Sequence, residues 1–387
     1  MVSYKWIYEH AERTCGHNMK AIVFATKMGG GHMSAANAVA NALIQRGCAS
    51  EVCDFLTLIG KRTSDIVGGA YINLVRRSPD AFGKLYRAGQ FVSTPRLKSI
   101  VYFANTLYAA PLYKYIEREQ PDILLTSHIF AAQALSHLKH QHSDLPPTIG
   151  IMTDYTCAPF WEETELDAYI TPHPLLDGEF TKKLMPAGKL HALGIPVAPA
   201  CTPCDDSAPA KLAQGLDTGR AHLLVIGGSM GAGNLPEVVL SLQGMDALIS
   251  VVCGNNKALF NQLSQQYAGD ENVRILGYVS PMFPLMDSAD IILSKSGGLT
   301  STEIMTKRKP FIVINPIEGV ETRNAEFFEQ LGAAMYARTD ADIRADVQRL
   351  LKDNALRADM RAAQERNIDS NASGRIAEFA LAMANKE

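Results

Sequence analysis

An apolar run, Ile291-Ile292-Leu293, passes directly into Ser294-Lys295-Ser296-Gly297-Gly298 and then into Leu299-Thr300-Ser301-Thr302-Glu303, which has the composition of a helix start. Strand, glycine-rich turn and helix in that order are the unit from which open parallel sheets are wound, so this stretch restricts the fold class sharply. A turn of this kind presents free backbone N–H groups and the positive end of a helix to a phosphate. Glu303 lies one turn further on, placed to accept hydrogen bonds from vicinal sugar hydroxyls. The stretch therefore predicts a nucleoside diphosphate held by backbone, with its ribose on a carboxylate.

The same unit recurs. Residues 20–26 form an apolar strand, Lys27-Met28-Gly29-Gly30-Gly31-His32 a turn, and 33–46 a helix with Ala36, Val39, Ala40 and Leu43 on one face. Further on, residues 222–226 run into the turn Gly227–Gly233 and a helix from Asn234. Other strands are predicted at 51–55, 121–126, 148–153, 168–171, 248–253, 273–276, 290–293 and 311–314, and a last segment of the first half at 189–197. Helices are predicted over about 130–139 and through 341–386.

At 387 residues the chain exceeds one ordinary domain of about 150 to 200 residues. The expected class is α/β, with two doubly wound Rossmann-like domains facing a cleft. Residues 1–19 are an N-terminal extension, 20–197 the first domain, 198–215 a linker whose start is rich in Pro, Ala and Cys, 216–370 the second domain, and 371–387 a C-terminal helix returning to the first. If the first sheet is parallel, its strand ends bring Ser127-His128 and Thr153-Asp154 to the edge that carries His32.

Several classes are excluded. Neither early turn is followed by GK[ST], so the mechanics of a P-loop are missing, and Gly231-Ala232-Gly233 lacks the third glycine of a dinucleotide fingerprint. A formal net charge of -3 gives no reason to expect a nucleic-acid partner. Seven scattered cysteines suit a reduced cytoplasmic protein, and Cys201-Thr202-Pro203-Cys204 has no second ligand pair for zinc. No apolar run of about 18 residues is present, and the first residues are too polar for a signal peptide.

One segment stands apart. Residues 61–115 interleave Tyr71, Phe82, Tyr86, Phe91, Tyr102 and Phe103 with basic residues including Arg76, Arg77, Lys84 and Arg87, against only Asp65 and Asp80. In a net-acidic chain this is the composition of a surface that docks on a monolayer, apolar groups entering the acyl boundary and cations meeting anionic headgroups. It predicts peripheral docking on a membrane surface.

Taken together, Met28-Gly-Gly-Gly-His-Met-Ser-Ala-Ala36, Thr153-Asp154, Gly194-Ile-Pro196, Gly227-Gly-Ser-Met-Gly231, and Ser296-Gly-Gly-Leu-Thr-Ser-Thr-Glu303 with Pro316, Glu321 and Asn324 resemble the monogalactosyldiacylglycerol synthase and processive diacylglycerol glucosyltransferase family. That family is in turn similar to the N-acetylglucosaminyltransferase of lipid-linked cell-wall synthesis. The resemblance, over about residues 20–375, implies a GT-B fold, a lipid acceptor on the first domain, a UDP-sugar on the second, and inversion at the anomeric carbon. It implies transfer of a hexose to a membrane lipid, diacylglycerol first among the acceptors. It puts the pyrophosphate near Gly228, Ser229 and Gly231 and near Ser296, Gly297, Leu299 and Thr300, the ribose on Glu303, the uracil by Tyr278 and Val279, and the sugar hydroxyls on Glu321 and Asn324. On the acceptor side it implicates Gly30, Gly31, His128 and Trp161 beside the cationic segment. Where many relatives carry a His before the Trp, this chain has Ala158, so that role is absent or moved to His128 or His173.

Glycosyl transfer asks for a base on one face of the anomeric carbon and positive potential at the departing diphosphate on the other. Backbone N–H groups supply that potential without a metal or cofactor. His32, with an ordinary pKa near 6.5, suits the base, and Asp154 either replaces it or orients it. Two other readings fit a two-domain UDP site: a UDP-sugar epimerase, and a non-catalytic UDP-sugar sensor. A transferase using UDP-N-acetylglucosamine and a polyprenyl acceptor is a third.

Overall fold

A computed structural model describes residues 19–27, 30–58, 98–229, 231 and 233–385. The N-terminal extension, save Met19, and Arg76, Arg77, Lys84 and Arg87 of the cationic segment lie outside the described residues. The chain divides into two units, one running to Pro199 and resuming at Asn371, the other Ala200–Ser370.

The first unit contains β1 (Lys20–Ala25), α1 (Gly30–Ile44), β2 (Ala49–Asp54), α2 (Ile100–Thr106), α3 (Ala109–Glu119), β3 (Ile123–Thr126), α4 (Ile129–Gln141), β4 (Thr148–Ile151), β5 (Ala168–Thr171), α5 (Asp177–Lys182) and β6 (Leu190–Ala192). Its sheet is parallel, in the order β2-β1-β3-β4-β5-β6. Strands β1, β3 and β4 are apolar at nearly every position because helices cover both faces, so no polar alternation is tolerated. The order reverses between β1 and β3, and the loops leaving those two strands are where an open sheet of this kind offers a ligand site.

The second unit contains α6 (Ala208–Ala213), β7 (Ala221–Ile226), α7 (Leu235–Leu242), β8 (Ala247–Val252), α8 (Lys257–Gln266), β9 (Val273–Leu276), α9 (Phe283–Ser288), β10 (Ile291–Ser294), α10 (Gly298–Thr306), β11 (Phe311–Val313), α11 (Val320–Gln330), β12 (Met335–Tyr336), α12 (Asp340–Lys352) and α13 (Asn354–Asn367). Its parallel sheet runs β12-β11-β10-β7-β8-β9, reversing between β7 and β10, the strands that precede its two glycine-rich turns. Leu223, Val225, Ile291 and Leu293 are fully buried at the centre of its core. Each contributes roughly 1.5–3 kcal/mol relative to exposure.

The last helix, α14 (Ala372–Ala384), belongs to the first unit: Ile376, Ala377 and Ala380 share one core with Ala36, Val39, Ala40 and Leu43 of α1. Alanines on both helices let the backbones approach closely. Arg46 and Glu378 add an ion pair of 2.7 Å at the edge of this contact.

Three local expectations change. Residues 198–215 are no free linker: Cys201 is buried and donates to the Glu303 carbonyl at 3.5 Å, and the Lys211 ammonium, 4% exposed, pairs with Asp290 at 2.6 Å. That stretch is packed into the second unit, which the Pro- and Ala-rich composition does not reveal. The turn after β1 is shorter than it looks, since Gly30, Gly31 and His32 already form the first turn of α1. Strand β12, two half-buried residues, has no recognisable sequence pattern.

Candidate active site

In the first unit, β1 hands over to α1 and β3 to α4, so His32 and Ser127 are neighbours across the point where the strand order reverses. The His32 Nδ1 lies 2.8 Å from the Ser127 carbonyl oxygen, and the Ser127 hydroxyl donates to the His32 carbonyl at 3.0 Å. A carbonyl only accepts, so Nδ1 carries the proton and the neutral ring has its lone pair on Nε2. Thr153 Oγ1 sits 3.3 Å from the same Nδ1. Burial pulls the imidazole below its ordinary pKa, while the charge of Asp154 and the Ser127 carbonyl act in the opposite direction. The result is a neutral imidazole fixed in one tautomer and orientation.

His128 packs edge-on against His32, ring centroids 4.6 Å apart. It is the N-cap of α4, its Nδ1 accepting from the Phe130 N–H at 3.2 Å, and burial holds it well below the ordinary histidine range, with the charge of His32 acting the same way. It is thus a capped wall of the site that stays neutral. His173 caps a single turn before α5 in the same manner. Gly30 is exposed and Gly31 half-buried at the start of α1. Trp161, expected at the acceptor or membrane surface, is 6% exposed and packs on Tyr169, filling the space above Gly150, where a Cβ would meet its ring at 2.8 Å. Its size and apolarity serve the core.

In the second unit the turn after β7 closes on the loop that follows β8. Gly231 bonds back to the Gly228 carbonyl at 3.1 Å, the Asn255 N–H donates to the Ser229 carbonyl at 3.0 Å, and the Asn256 amide donates to the Gly231 carbonyl at 3.2 Å. Gly231 has φ +58°, and a Cβ there would lie 2.1 Å from the Cys253 carbonyl oxygen, so only glycine fits. After β10, Gly297 is the N-cap of α10 and accepts from the Ser301 N–H at 3.0 Å. The N–H groups of Gly298, Leu299 and Thr300 therefore have no acceptor within the helix.

Glu303 projects from the second turn of α10, partly buried. Desolvation pushes its carboxyl up to about 7, with only Lys307 acting the other way. Among the described residues no hydrogen bond reaches this carboxylate. Tyr278, expected beside the uracil, is 62% exposed, and Val279 is half-buried next to it.

Three residues expected to touch the donor do other work. Ser296 is fully buried, its hydroxyl donating to the Glu321 carbonyl at 2.5 Å. Asn324 is fully buried as well, its amide donating to the Ser296 carbonyl at 2.9 Å. The Glu321 carboxylate accepts from the Ile317 N–H at 2.9 Å and is ion-paired with Lys295. All three brace the loop between β10 and α10. Lys295 itself, and the orienting roles of Ser127 and Thr153, were missed; a Lys immediately before the Ser-Gly-Gly turn is the signal that was available in the sequence. Cys201 is a buried thiol pushed up to about 12, and Cys204 is likewise free, so this pair is structural in the second unit.

The fold agrees with known proteins. Residues 32–197 match the family model of monogalactosyldiacylglycerol (MGDG) synthase, and residues 222–378 that of the glycosyltransferase family 28 C-terminal domain. Processive diacylglycerol beta-glucosyltransferases of Bacillus mycoides (strain KBAB4) and Bacillus cereus (strain B4264) are each 26% identical over 374 residues, covering 94% of this chain and 94% of theirs. Among solved structures, Acinetobacter baumannii MurG is similar in fold with a TM-score of 0.61 and 16% identity, covering 95% of this chain and 100% of that one. The UDP-GlcNAc 2-epimerase from Neisseria meningitidis, bound to UDP-GlcNAc, gives a TM-score of 0.61 and 16% identity over 94% of this chain and 100% of that one. Two doubly wound parallel units give this chain the GT-B fold, and the match to the glycosyltransferase family 28 C-terminal domain places it among sugar-transferring enzymes. Within that class it is similar to the monogalactosyldiacylglycerol synthases over residues 32–197 and to the processive diacylglycerol beta-glucosyltransferases over 94% of its length.

Proposed function

We propose that the protein moves a hexose from a UDP-sugar to diacylglycerol at a membrane surface, with inversion at the anomeric carbon and without a metal. The carrying observation is Glu303: a desolvated carboxylate that no hydrogen bond reaches among the described residues, one turn inside a helix whose first N–H groups have no acceptor within it. Those N–H groups suit a diphosphate, and the carboxylate suits a ribose diol. The relatives named as diacylglycerol beta-glucosyltransferases, similar over 94% of the chain, support the lipid acceptor. The Neisseria epimerase, which shares the fold and binds UDP-GlcNAc, supports a UDP-linked donor.

In this reading His32 Nε2 takes the proton of the acceptor hydroxyl as that oxygen attacks the anomeric carbon, and the diphosphate leaves from the opposite face. Fixing of Nδ1–H by Ser127 makes His32 the base, with Asp154 supporting the charge that the imidazole gains. Helix α2 supports a membrane surface: Ile100, Phe103 and Leu107 are 88%, 61% and 74% exposed, and their spacing puts them on one helical face. No helix of the described residues is long and apolar enough to cross a membrane.

The test offers UDP-glucose, UDP-galactose and UDP-N-acetylglucosamine separately, each with vesicles containing diacylglycerol or a polyprenyl phosphate lipid. Products are followed by mass spectrometry and their anomeric configuration by NMR. A β-glycosyl diacylglycerol from one hexose donor, formed equally in a chelator, is the expected result. Isomerisation of the free UDP-sugar with no lipid product in any combination would overturn the reading in favour of an epimerase.

A further inference from the structure

Lys295 has no part in the reading above, yet it occupies the centre of the second unit's site. Its ammonium pairs with the Glu321 carboxylate, and the two side chains are only 16% and 12% exposed. The pair lies against both glycine-rich turns. A Cβ on Gly228 would come within 3.1 Å of Lys295 Cε, and one on Gly297 would lie 3.5 Å from its Nζ and 3.6 Å from Glu321 Oε1. The absence of side chains at these two glycines is what gives the ammonium its room.

An ion pair this buried carries a desolvation cost, and the loop does not depend on it. The Ser296 hydroxyl already ties the loop to the Glu321 backbone, and the Asn324 amide ties it again at the Ser296 carbonyl. One oxygen of Glu321 is also held independently by the Ile317 N–H at 2.9 Å, so the carboxylate stays in place if Lys295 moves. A lysine cation beside a carboxylate that keeps a second donor, next to the open N–H groups of α10, is an arrangement for exchanging partners.

We infer that Lys295 is the cation that receives the charge of the departing diphosphate, leaving Glu321 for the phosphate oxygens when the donor binds. The inference rests on the UDP-sugar reading. In the transfer step the acceptor oxygen bonds to the anomeric carbon while the bond from that carbon to the β-phosphate oxygen breaks. The electron pair of the broken bond stays on the phosphate oxygen, the acceptor proton goes to the base on the first unit, and the Lys295 ammonium keeps its protons throughout. Because charge on the β-phosphate grows as the bond breaks, the contact is stronger in the transition state than in the ground state, and it adds a full charge to the partial charges of the helix end. Glu321, once freed on one oxygen, turns from an internal counter-ion into an acceptor for hexose hydroxyls. The loop-bracing role seen in the structure and the sugar contact implied by the family resemblance then belong to two states of one residue.

Calorimetric binding of uridine, UDP and inorganic pyrophosphate to the full chain and to three variants tests this. Lys295→Met weakens UDP and pyrophosphate about 10- to 100-fold and leaves uridine unchanged, the loss appropriate to a buried charge-assisted hydrogen bond. Lys295→Arg restores part of it. Glu321→Gln keeps an oxygen for the Ile317 N–H but removes the competing charge, so it tightens pyrophosphate several-fold. A purely structural ion pair gives the same sign for both neutral variants, with binding and thermal midpoint falling together; that result, or wild-type UDP affinity in Lys295→Met, overturns the inference. Wild-type protein that binds pyrophosphate through Lys295 but gains nothing from the uridine moiety upholds the anion role of Lys295 and rejects the UDP donor.

Discussion

UDP binding should titrate near neutral pH if Glu303 holds the ribose as proposed. Its carboxyl is raised from an ordinary 4.5 to about 7 by desolvation, so in the ligand-free protein it is protonated over much of the range below pH 7. A ribose diol donates hydrogen bonds and so selects the ionised form, which means that binding expels the proton at acidic pH. With a free-state pKa of about 7, the fraction ready to bind is roughly a tenth at pH 6 and nearly all at pH 8, so UDP affinity rises about tenfold between them. The phosphate of UDP titrates near pH 6 too, about one unit below the carboxyl, and the comparison must remove it. Dissociation constants are therefore measured at pH 6 and pH 8 for wild type and Glu303→Gln, and the ratio of the two proteins is taken at each pH. We expect the variant to bind UDP about 10- to 100-fold more weakly at pH 8 and the ratio to shrink about tenfold at pH 6. A ratio that does not change with pH refutes the ribose–carboxylate contact.

The same shift sets a stability cost of opposite sign. Because the folded-state pKa lies above the unfolded one, the stabilising protonated form is fully present below about pH 4.5 and is lost as pH rises through about 7. The rise corresponds to an upper bound of roughly 3 kcal/mol, reduced by solvent screening of a side chain that is not wholly buried. Glu303→Gln should accordingly unfold at higher denaturant concentration than wild type at pH 8 and at the same concentration at pH 4.5. A site that gives up stability for binding is thereby separated from one that serves the fold.

His32→Ala should remove turnover while leaving UDP affinity within about twofold, since the histidine belongs to the first unit; loss of UDP binding would take the base assignment away. Because burial lowers the His32 pKa, the acid limb of the wild-type kcat profile should lie below pH 6.5, with activity lost as pH falls and Nε2 takes a proton. Gly231→Ala should lower stability by about 1–3 kcal/mol and UDP affinity together, because φ +58° and the Cys253 carbonyl leave no room for a Cβ; wild-type thermal stability would contradict that geometry. Replacing Ile100, Phe103 and Leu107 by Glu, or Arg76, Arg77, Lys84 and Arg87 by Glu, should release the protein from vesicles rich in anionic lipid in a flotation assay, and unchanged flotation by both sets would remove the docking surface.

Much of the fold was legible because its signals are local. Largely apolar strands such as β1 and β10, the glycine-rich turns behind them and the helices that follow are each written within about fifteen consecutive residues, and they place His32 and Glu303 in the helices that open beyond strand ends without any long-range information. The C-terminal helix was legible in its helical pattern for the same reason, while its packing against α1 is seen only in the structure. Boundaries suffered where composition and packing diverge, as at residues 198–215, where a Pro-rich run turns out to be held by Cys201 and Lys211.

What the sequence alone determined is the type of unit, its repetition and the groups at the turns: open N–H groups, a carboxylate, an imidazole. The tertiary structure decided which groups are neighbours and which are inside. Strand order puts the Ser127 carbonyl, 95 residues away, on His32 and so selects its tautomer. Packing took Trp161, Ser296 and Asn324 out of solvent and brought Lys295 to Glu321 between two glycines. Burial and electrostatic environment are sums over neighbours contributed by distant parts of the chain, so a residue's type can be read from its own segment but its pKa, its partner and its availability to a ligand cannot.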